Sequence, residues 1–241
     1  MRVLVERGGC PPGGWEAGKR VSLEKGEAHH LRVRRAKTGE MVEVLDGAGL
    51  RATGALVQTG KEWWVEVRDA VREPRPAELT LAVAAGDKDR FSWMVEKAAE
   101  LGVTAVVPLE TTRSAAVATG LRGTHLLRIR RQALEATKQC GAAWAVRVEE
   151  PVSLPAFLER PAVGLRWVAD HAGIPVAAQL DAIPLTIVIG PEGGLTAEER
   201  GSLLAAGYQP VALGPHTLRF ETAALAAAAA ASIARMRGNH G

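Results

Sequence analysis

The sequence predicts an α/β protein of two domains: a small β-barrel or sandwich over residues 1–71 and an α/β domain over residues 72–241. The first 70 residues contain short alternating stretches separated by glycine turns, which is typical of small all-β domains. After the first domain, apolar strands alternate with amphipathic helices, a pattern that indicates a mostly parallel sheet covered on both faces. A linker is predicted between the domains, because Pro74 and Pro76 fit neither a helix interior nor a central strand.

Short strands account for the predicted elements of the first domain. The stretch 41–45, Met-Val-Glu-Val-Leu, alternates and ends at an Asp46-Gly47 turn, as expected of a strand that leads into a hairpin. By the same criteria strands are predicted at residues 2–6, 41–45, 50–57 and 63–67.

The second domain is predicted to alternate strands with helices. One helix, beginning at Thr196, has the capping-box pair Thr196 and Glu199. The last helix has an alanine-rich face, residues 223–231, which should pack closely against a helix of its own core or of a second subunit. Strands are predicted at 79–84, 103–109, 183–189 and 211–213, and helices at 90–101, 125–138, 196–206 and 221–236.

The composition is that of a globular protein and predicts no membrane span. Hydrophobic residues make up 47% and charged residues 24% of the 241 residues, enough for an ordinary core. The N-terminus lacks the apolar core of a signal peptide, so a cytoplasmic location is expected. Cys10 and Cys140 have no metal-binding or disulfide spacing and are predicted to be free thiols, and no metal is predicted.

Positive charge is concentrated near the N-terminus. Residues 1–72 hold 13 Lys and Arg against 10 Asp and Glu, whereas residues 73–241 hold 17 of each. Basic clusters lie at 19–37 and 122–138. Either cluster alone fits a solvated charged face, but the two together favour phosphate contacts with RNA. The candidate RNA-binding residues are Arg20, Lys25, His30, Arg32, Arg34, Arg35, Arg113, Arg128 and Arg131.

A glycine-rich loop, Gly190-Pro191-Glu192-Gly193-Gly194, follows the predicted strand 183–189 and precedes the capped helix. Ligands of open α/β sheets bind at the carboxyl ends of strands, where glycine lets the backbone approach a ligand closely. A tight turn without a ligand explains the same residues equally well. The chain contains no Walker A sequence and no G-x-G-x-x-G, so neither a P-loop nor a dinucleotide fold is supported.

A second loop, 213–222, also follows a short strand and precedes a helix. It places the charges of Arg219 and Glu221 in an apolar neighbourhood, either as functional groups or as a salt bridge at a helix start. Two such strand-loop-helix units favour one shared ligand pocket.

Together the two loops resemble the bacterial 16S ribosomal RNA uracil-N3 methyltransferases of the SPOUT, or trefoil-knot, superfamily. The segments His29-His30-Leu31, 95–103 and Thr112-Arg113-Ser114 are also similar, so the resemblance covers nearly the whole chain. The resemblance implies a PUA-like RNA-binding barrel, a knotted α/β methyltransferase domain, S-adenosyl-L-methionine as methyl donor and a homodimer. The segments 32–35 and 133–140 depart from the family pattern.

The reaction that the resemblance implies suggests roles for particular residues. Arg219 is the candidate for stabilising a uracil anion, and Glu221 is the candidate for orienting Arg219. The alternative for both residues is a purely structural ion pair within the loop. A non-enzymatic RNA-binding protein and a transfer-RNA methyltransferase are the competing functions, and 16S rRNA, within the small subunit, is the expected partner. The donor-binding candidates are Gly190, Pro191, Glu192, Gly193, Gly194, Leu213, Gly214, Thr217, Leu218 and Arg219.

Overall fold

The computed structural model describes residues 1–5, 15–161, 163–176, 181 and 183–238. The chain forms two compact units. The first contains Met1–Arg75 and Thr137–Ala145, and the second contains Pro76–Ala136 and Val146–Gly241. The first unit therefore includes a short segment from the middle of the chain. Cys10 and Glu6, for which a free thiol and the end of a strand were predicted, lie outside the described residues.

A five-stranded sheet with the order β1-β3-β4-β5-β2 forms the first unit. Pairing is antiparallel except between β1 and β3, which are parallel. Val44, Leu56, Trp63 and Val65 point into its core. The strands are β1 (Arg2–Leu4), β2 (Arg20–Ser22), β3 (Met41–Leu45), β4 (Leu50–Thr59) and β5 (Glu62–Arg72), so all four predicted strands are present.

A helix, α1 (Lys25–Val33), lies among these strands, so the prediction of strands alone for the first 70 residues is wrong here. Ala28 and Leu31 are buried and one helical turn apart, which holds one face of the helix on the core. Its N-cap, Glu24, makes no side-chain capping bond. The helix was not predicted for two reasons. It lacks the side-chain N-cap that usually marks a helix start, and its short apolar stripe lies among basic residues.

The end of helix α4 (Thr124–Cys140) is attached to this first unit. Arg2 Nη1 donates to the carbonyl of Gln139 and Arg51 Nη2 donates to the carbonyl of Gly141, each at 2.8 Å. These guanidinium groups satisfy carbonyls at the helix C-terminus, where positive charge is favourable. A buried ion pair adds to them: Lys138 Nζ lies 2.7 Å from Glu27 Oε1, with side chains 12% and 9% exposed.

We expect Lys138→Met to lower the free energy of unfolding by about 3 kcal/mol, because Glu27 would remain buried without its partner. Urea denaturation followed by tryptophan fluorescence measures the change. The matched control is Lys97→Met, whose ammonium pairs with Glu96 and Glu100 at the surface with a side chain 34% exposed. That control should cost less than about 1 kcal/mol. Equal losses in the two variants would contradict the assignment of the buried pair.

The second unit contains a parallel sheet with the strand order β12-β10-β11-β6-β7-β8, and β9 pairs with β7. Each of its pairings is parallel, as the sequence predicts. The strands are β6 (Leu79–Val83), β7 (Ala105–Glu110), β8 (Arg147–Val148), β9 (Val152–Ser153), β10 (Leu165–Pro175), β11 (Leu185–Ile189) and β12 (Gln209–Ala212). The helices besides α4 are α2 (Lys88–Glu100), α3 (Ala115–Thr119), α5 (Leu154–Leu158), α6 (Ala197–Ala205) and α7 (Phe220–Gly238).

Helices cover both faces of this sheet. Leu81 and Val83 of β6 face the core formed with α2, α4 and α7, whereas Ala82 faces a second core formed with α5 and α6. The alanine-rich face of α7 belongs to the first of these cores, where α7 contacts α2. The small side chains therefore serve packing within the chain's own core. No helix in the described residues is long and apolar enough to span a membrane.

Candidate functional site

A cavity of about 340 Å³ lies at the carboxyl ends of β11 and β12 and against residues 168–171 of β10, the strand between them. The position is the usual one for a ligand of an open α/β sheet, and the volume is within the range of small-ligand pockets. Both predicted loops contribute to its wall. The lining residues are Val168, Ala169, Asp170, His171, Ile189, Gly190, Pro191, Glu192, Gly194, Leu195, Arg200, Val211, Leu213, Gly214, His216, Thr217, Leu218, Phe220 and Ala223.

The loop after β11, which we call the glycine loop (residues 190–194), needs its glycines for defined reasons. Gly194 has φ +73°, a left-handed conformation that other residues adopt at a cost, and its N–H donates to the carbonyl of Pro191 at 2.8 Å. A Cβ on Gly193 would lie 3.1 Å from Cδ of Arg113. The loop is thus a tight turn and also a cavity wall. Gly193 itself is not among the lining residues.

The loop between β12 and α7 forms the opposite wall with Leu213, Gly214, Thr217 and Leu218. Within the part of the chain that the structure describes, the backbone N–H groups of Gly214 and Leu218 have no protein acceptor. Donors without a protein partner at a cavity wall are available to a ligand. This loop therefore brings backbone as well as side-chain groups to the cavity wall.

A third wall comes from β10, a strand that the sequence analysis missed. Asp170 accepts hydrogen bonds from the N–H of Ala172 at 2.9 Å and from Arg200 Nε at 2.6 Å. The first of these and then the second lower the pKa of the Asp170 carboxyl. The available signal was the short stretch Leu165–Ala169, which follows Gly164, but it contains Arg166 and is followed directly by Asp170 and His171.

Glu192 reaches the cavity from the glycine loop and lies over Gly86, in the loop after the neighbouring strand β6. A Cβ on Gly86 would be only 1.8 Å from Glu192 Oε2. The absence of a side chain at Gly86 thus allows the carboxylate to take this position.

We expect Gly86→Ala to displace Glu192 and to weaken binding of the pocket's ligand by on the order of ten-fold, about 1.4 kcal/mol. Gly201→Ala is the control, because a Cβ there meets nothing within 4 Å and the residue lies on α6. Titration calorimetry compares the two. The same affinity in Gly86→Ala and the control would show that Glu192 does not shape the pocket.

Arg219 and Glu221 lie beside the cavity, not in its wall. Arg219 is exposed and precedes α7, and it is absent from the lining residues. Glu221 is 8% exposed, and Arg90 Nη1 of α2 lies 3.7 Å from its Oε1. The ion pair of Glu221 is therefore made with Arg90, and among the described residues the buried Oε2 atom of Glu221 has no hydrogen-bond partner.

The basic candidates divide between the two units. In the first unit Arg20 lies on β2, Lys25, His30 and Arg32 lie on α1, and Arg34 and Arg35 follow it, all exposed. In the second unit Arg128 and Arg131 are exposed on α4, and Arg128 Nη2 lies 3.5 Å from Asp89. Arg113 differs from these, because its guanidinium donates to the carbonyl of Gly193 in the glycine loop.

Acid should weaken the second unit through two carboxyls. Burial raises the pKa of Glu199, but hydrogen bonds from Thr112 and Thr196 lower it by more, and the pKa of Asp170 is also lowered. A lowered folded-state pKa stabilises the fold at pH values above the ordinary 3.8 for Asp and 4.5 for Glu, and this stabilisation disappears as the pH falls. We expect the thermal midpoint to fall between about pH 5 and pH 3, and to fall less in Asp170→Asn. An equal fall in that variant would contradict the contribution of Asp170.

The fold and the cavity define an α/β protein with a small-ligand site at the carboxyl edge of a parallel sheet. Comparison with known families refines this class. Residues 73–232 match the family model of the RNA methyltransferase domain, and residues 23–62 match that of the RNA methyltransferase PUA domain.

Individual relatives agree with the family models. The ribosomal RNA small subunit methyltransferase E of Mycobacterium bovis is 31% identical, covering 87% of this chain and 84% of that protein. The protein of the same name from Rickettsia conorii is 26% identical, covering 90% and 91%. A crystal structure of a ribosomal RNA small subunit methyltransferase E from Neisseria gonorrhoeae, bound to S-adenosyl methionine, has a TM-score of 0.81 at 27% identity and covers 95% of each chain.

The chain therefore belongs to the RNA methyltransferase family that includes the ribosomal RNA small subunit methyltransferases E. This confirms the resemblance found in the sequence. It also confirms the fold class, with a PUA domain at the N-terminus and a parallel α/β sheet in the methyltransferase domain.

Proposed function

We propose that the protein transfers a methyl group from S-adenosylmethionine to N3 of one specific uridine in 16S ribosomal RNA. The observation that carries the proposal is the shared cavity between the glycine loop and the loop 213–218. A relative from Neisseria gonorrhoeae with the same fold is bound to S-adenosyl methionine, which supports the choice of donor. The names of the relatives support ribosomal RNA of the small subunit as the substrate.

The residues of the cavity fit this donor. Its volume suits a nucleoside with an amino-acid tail, and the N–H groups of Gly214 and Leu218 are available to an adenine edge. Asp170 and Arg200 bring both signs of charge to the rim. Gly193 and Arg219 are not in the cavity wall but adjoin it in the sequence. Contacts with the donor are proposed for the wall residues Gly190, Pro191, Glu192, Gly194, Leu213, Gly214, Thr217 and Leu218.

The donor supplies an electrophilic methyl group on a sulfonium. The protein must hold the uracil base in line with this methyl group at near-attack distance. It must also favour the uracil anion, because N3 of the neutral uracil ring carries a proton. Arg219 is the proposed group for the second task, because its exposed guanidinium lies next to Leu218 of the cavity wall. Glu221, buried and paired with Arg90, is proposed to fix the start of α7, which follows Arg219 directly.

RNA is proposed to be held through phosphate contacts by the exposed basic residues Arg20, Lys25, His30, Arg32, Arg34, Arg35, Arg128 and Arg131. The first domain, residues 1–71, is proposed as the PUA-like RNA-binding part, and residues 72–241 as the methyltransferase part with the knot that the resemblance implies. The absence of a metal requirement and a cytoplasmic location belong to the same proposal.

A homodimer is also proposed, on the strength of the resemblance. Light scattering of the purified protein at micromolar concentration should give twice the mass of 25.5 kDa. A stable monomer would contradict this part of the proposal and leave the donor and the reaction untouched.

Ribosomal RNA from a strain that lacks the gene tests the substrate. Digestion and mass spectrometry should show the loss of one methyl group on one uridine of 16S rRNA, restored by the gene on a plasmid. Unchanged 16S rRNA together with a methyl group lost from transfer RNA would replace ribosomal RNA with transfer RNA as the substrate.

A further inference from the structure

The loop after β7, residues 111–114, is joined to the first turn of α6 by one carboxylate. Glu199, on the first turn of α6, accepts hydrogen bonds from the backbone N–H of Thr112 at 2.7 Å and from its Oγ1 at 3.0 Å. Thr112 is 87 residues away in the sequence. These contacts bring a segment outside the cavity wall next to the helix that begins after the glycine loop.

Glu199 divides its two oxygens between two tasks. Oε2 accepts the N–H of Thr196 at 2.8 Å and so completes the capping box of α6. Oε1 makes both bonds to Thr112 and takes no part in the cap. A glutamate that only capped the helix would have no use for these two bonds, so helix capping alone does not account for Glu199.

The attached loop is held by internal hydrogen bonds and reaches the glycine loop itself. Its interior is braced by the buried Thr111 and Ser114, whose hydroxyl oxygens lie 2.8 Å apart. On the outer side, Arg113 donates to the carbonyl of Gly193, next to the cavity-lining Gly194. A path of direct contacts thus runs from Glu199 through Thr112 and Arg113 to the wall of the cavity.

We infer that Glu199 is a positioning residue for donor binding: it holds residues 112–113 so that Arg113 fixes the glycine loop in its binding conformation. The inference rests on the proposed function, because the ligand of the glycine loop is the methyl donor. It also gives Arg113, a candidate for RNA contact in the sequence analysis, a role in the donor site. Preorganisation of a loop lowers the ordering cost of binding, so its loss weakens affinity without removing any ligand contact.

S-adenosylhomocysteine is the probe, and calorimetry with the full-length protein measures its affinity. Glu199→Ala should weaken binding by on the order of ten-fold, because charge-assisted hydrogen bonds are lost. Arg113→Ala, an exposed residue that takes no part in the cap, should show a similar loss, and the double variant should be no worse than the weaker-binding single variant. Glu199→Gln keeps an acceptor for Thr112 and should recover part of the affinity.

Two matched variants separate positioning from helix capping. Thr196→Ala removes the bond from the Glu199 N–H to Thr196 Oγ1 and leaves Thr112 attached, so it should lower the thermal midpoint but keep the affinity within about two-fold. Glu198→Ala, the exposed neighbour on the same turn, should change neither quantity. Equal affinity losses in Glu199→Ala and Thr196→Ala, or additive losses with Arg113→Ala, would overturn the inference. Absence of binding by the unmodified protein would instead refute the proposed function.

Discussion

We expect Gly194→Trp to abolish measurable binding of S-adenosylhomocysteine. Gly194 lines the cavity in the left-handed region, at φ +73°. An indole at this residue both strains the backbone and occupies space that the donor needs. We expect the affinity measured by calorimetry to fall by at least about 100-fold, or roughly 2.7 kcal/mol.

Gly123→Trp is the matched control for this variant. Gly123 is also left-handed, at φ +59°, and belongs to the same unit, but a Cβ there meets nothing within 4 Å. It introduces the same side chain and a similar backbone strain away from the cavity. If both variants bound the ligand like the unmodified protein, the glycine loop would not belong to the donor site.

Arg219→Ala separates catalysis from donor binding. The guanidinium is exposed beside the cavity and is not among its lining residues, so its loss should leave the affinity for S-adenosylhomocysteine within about two-fold. Removal of one group that stabilises developing negative charge typically costs on the order of 10²–10³ in turnover. Single-turnover methyl transfer with saturating donor measures the chemical step directly.

Two further variants define what Arg219 does. Arg219→Lys keeps a positive charge and should recover part of the turnover, although a lysine lacks the planar fork of a guanidinium. Arg128→Ala, an exposed arginine on α4, should weaken RNA binding without changing the single-turnover rate at saturating RNA. Full turnover in Arg219→Ala would remove this residue from the reaction.

Local sequence signals predicted the parts of the site that depend on neighbours in the chain. The capping box of Thr196 and Glu199 forms with both of its bonds, and the two loops at strand ends meet at one cavity. The residues of the capping box, like the residues within each loop, lie within a few positions of one another, so their spacing determines their local geometry. Parallel strands then bring the two loops to the same edge of the sheet.

Interactions over long sequence distances could not be predicted in this way. The wall from β10 was missed because its apolar stretch is short. The ion pair of Asp170 is made with Arg200 on α6, which is 30 residues away in the sequence. Glu221 is paired with Arg90 because α2 packs against α7, an arrangement that no local pattern encodes. The bonds between Glu199 and Thr112 are of the same kind, since they join the loop after β7 to α6 across 87 residues of sequence.

Methyl transfer in a defined mixture tests the central claim most directly. The purified protein, S-adenosylmethionine with a deuterated methyl group, and small ribosomal subunits from a strain lacking the gene are incubated together, and the digested RNA is analysed by mass spectrometry. We expect one labelled 3-methyluridine per 16S rRNA, and none when the Gly194→Trp variant replaces the unmodified protein. Incorporation on a different atom or base, or no incorporation into small subunits or naked 16S rRNA, would contradict it.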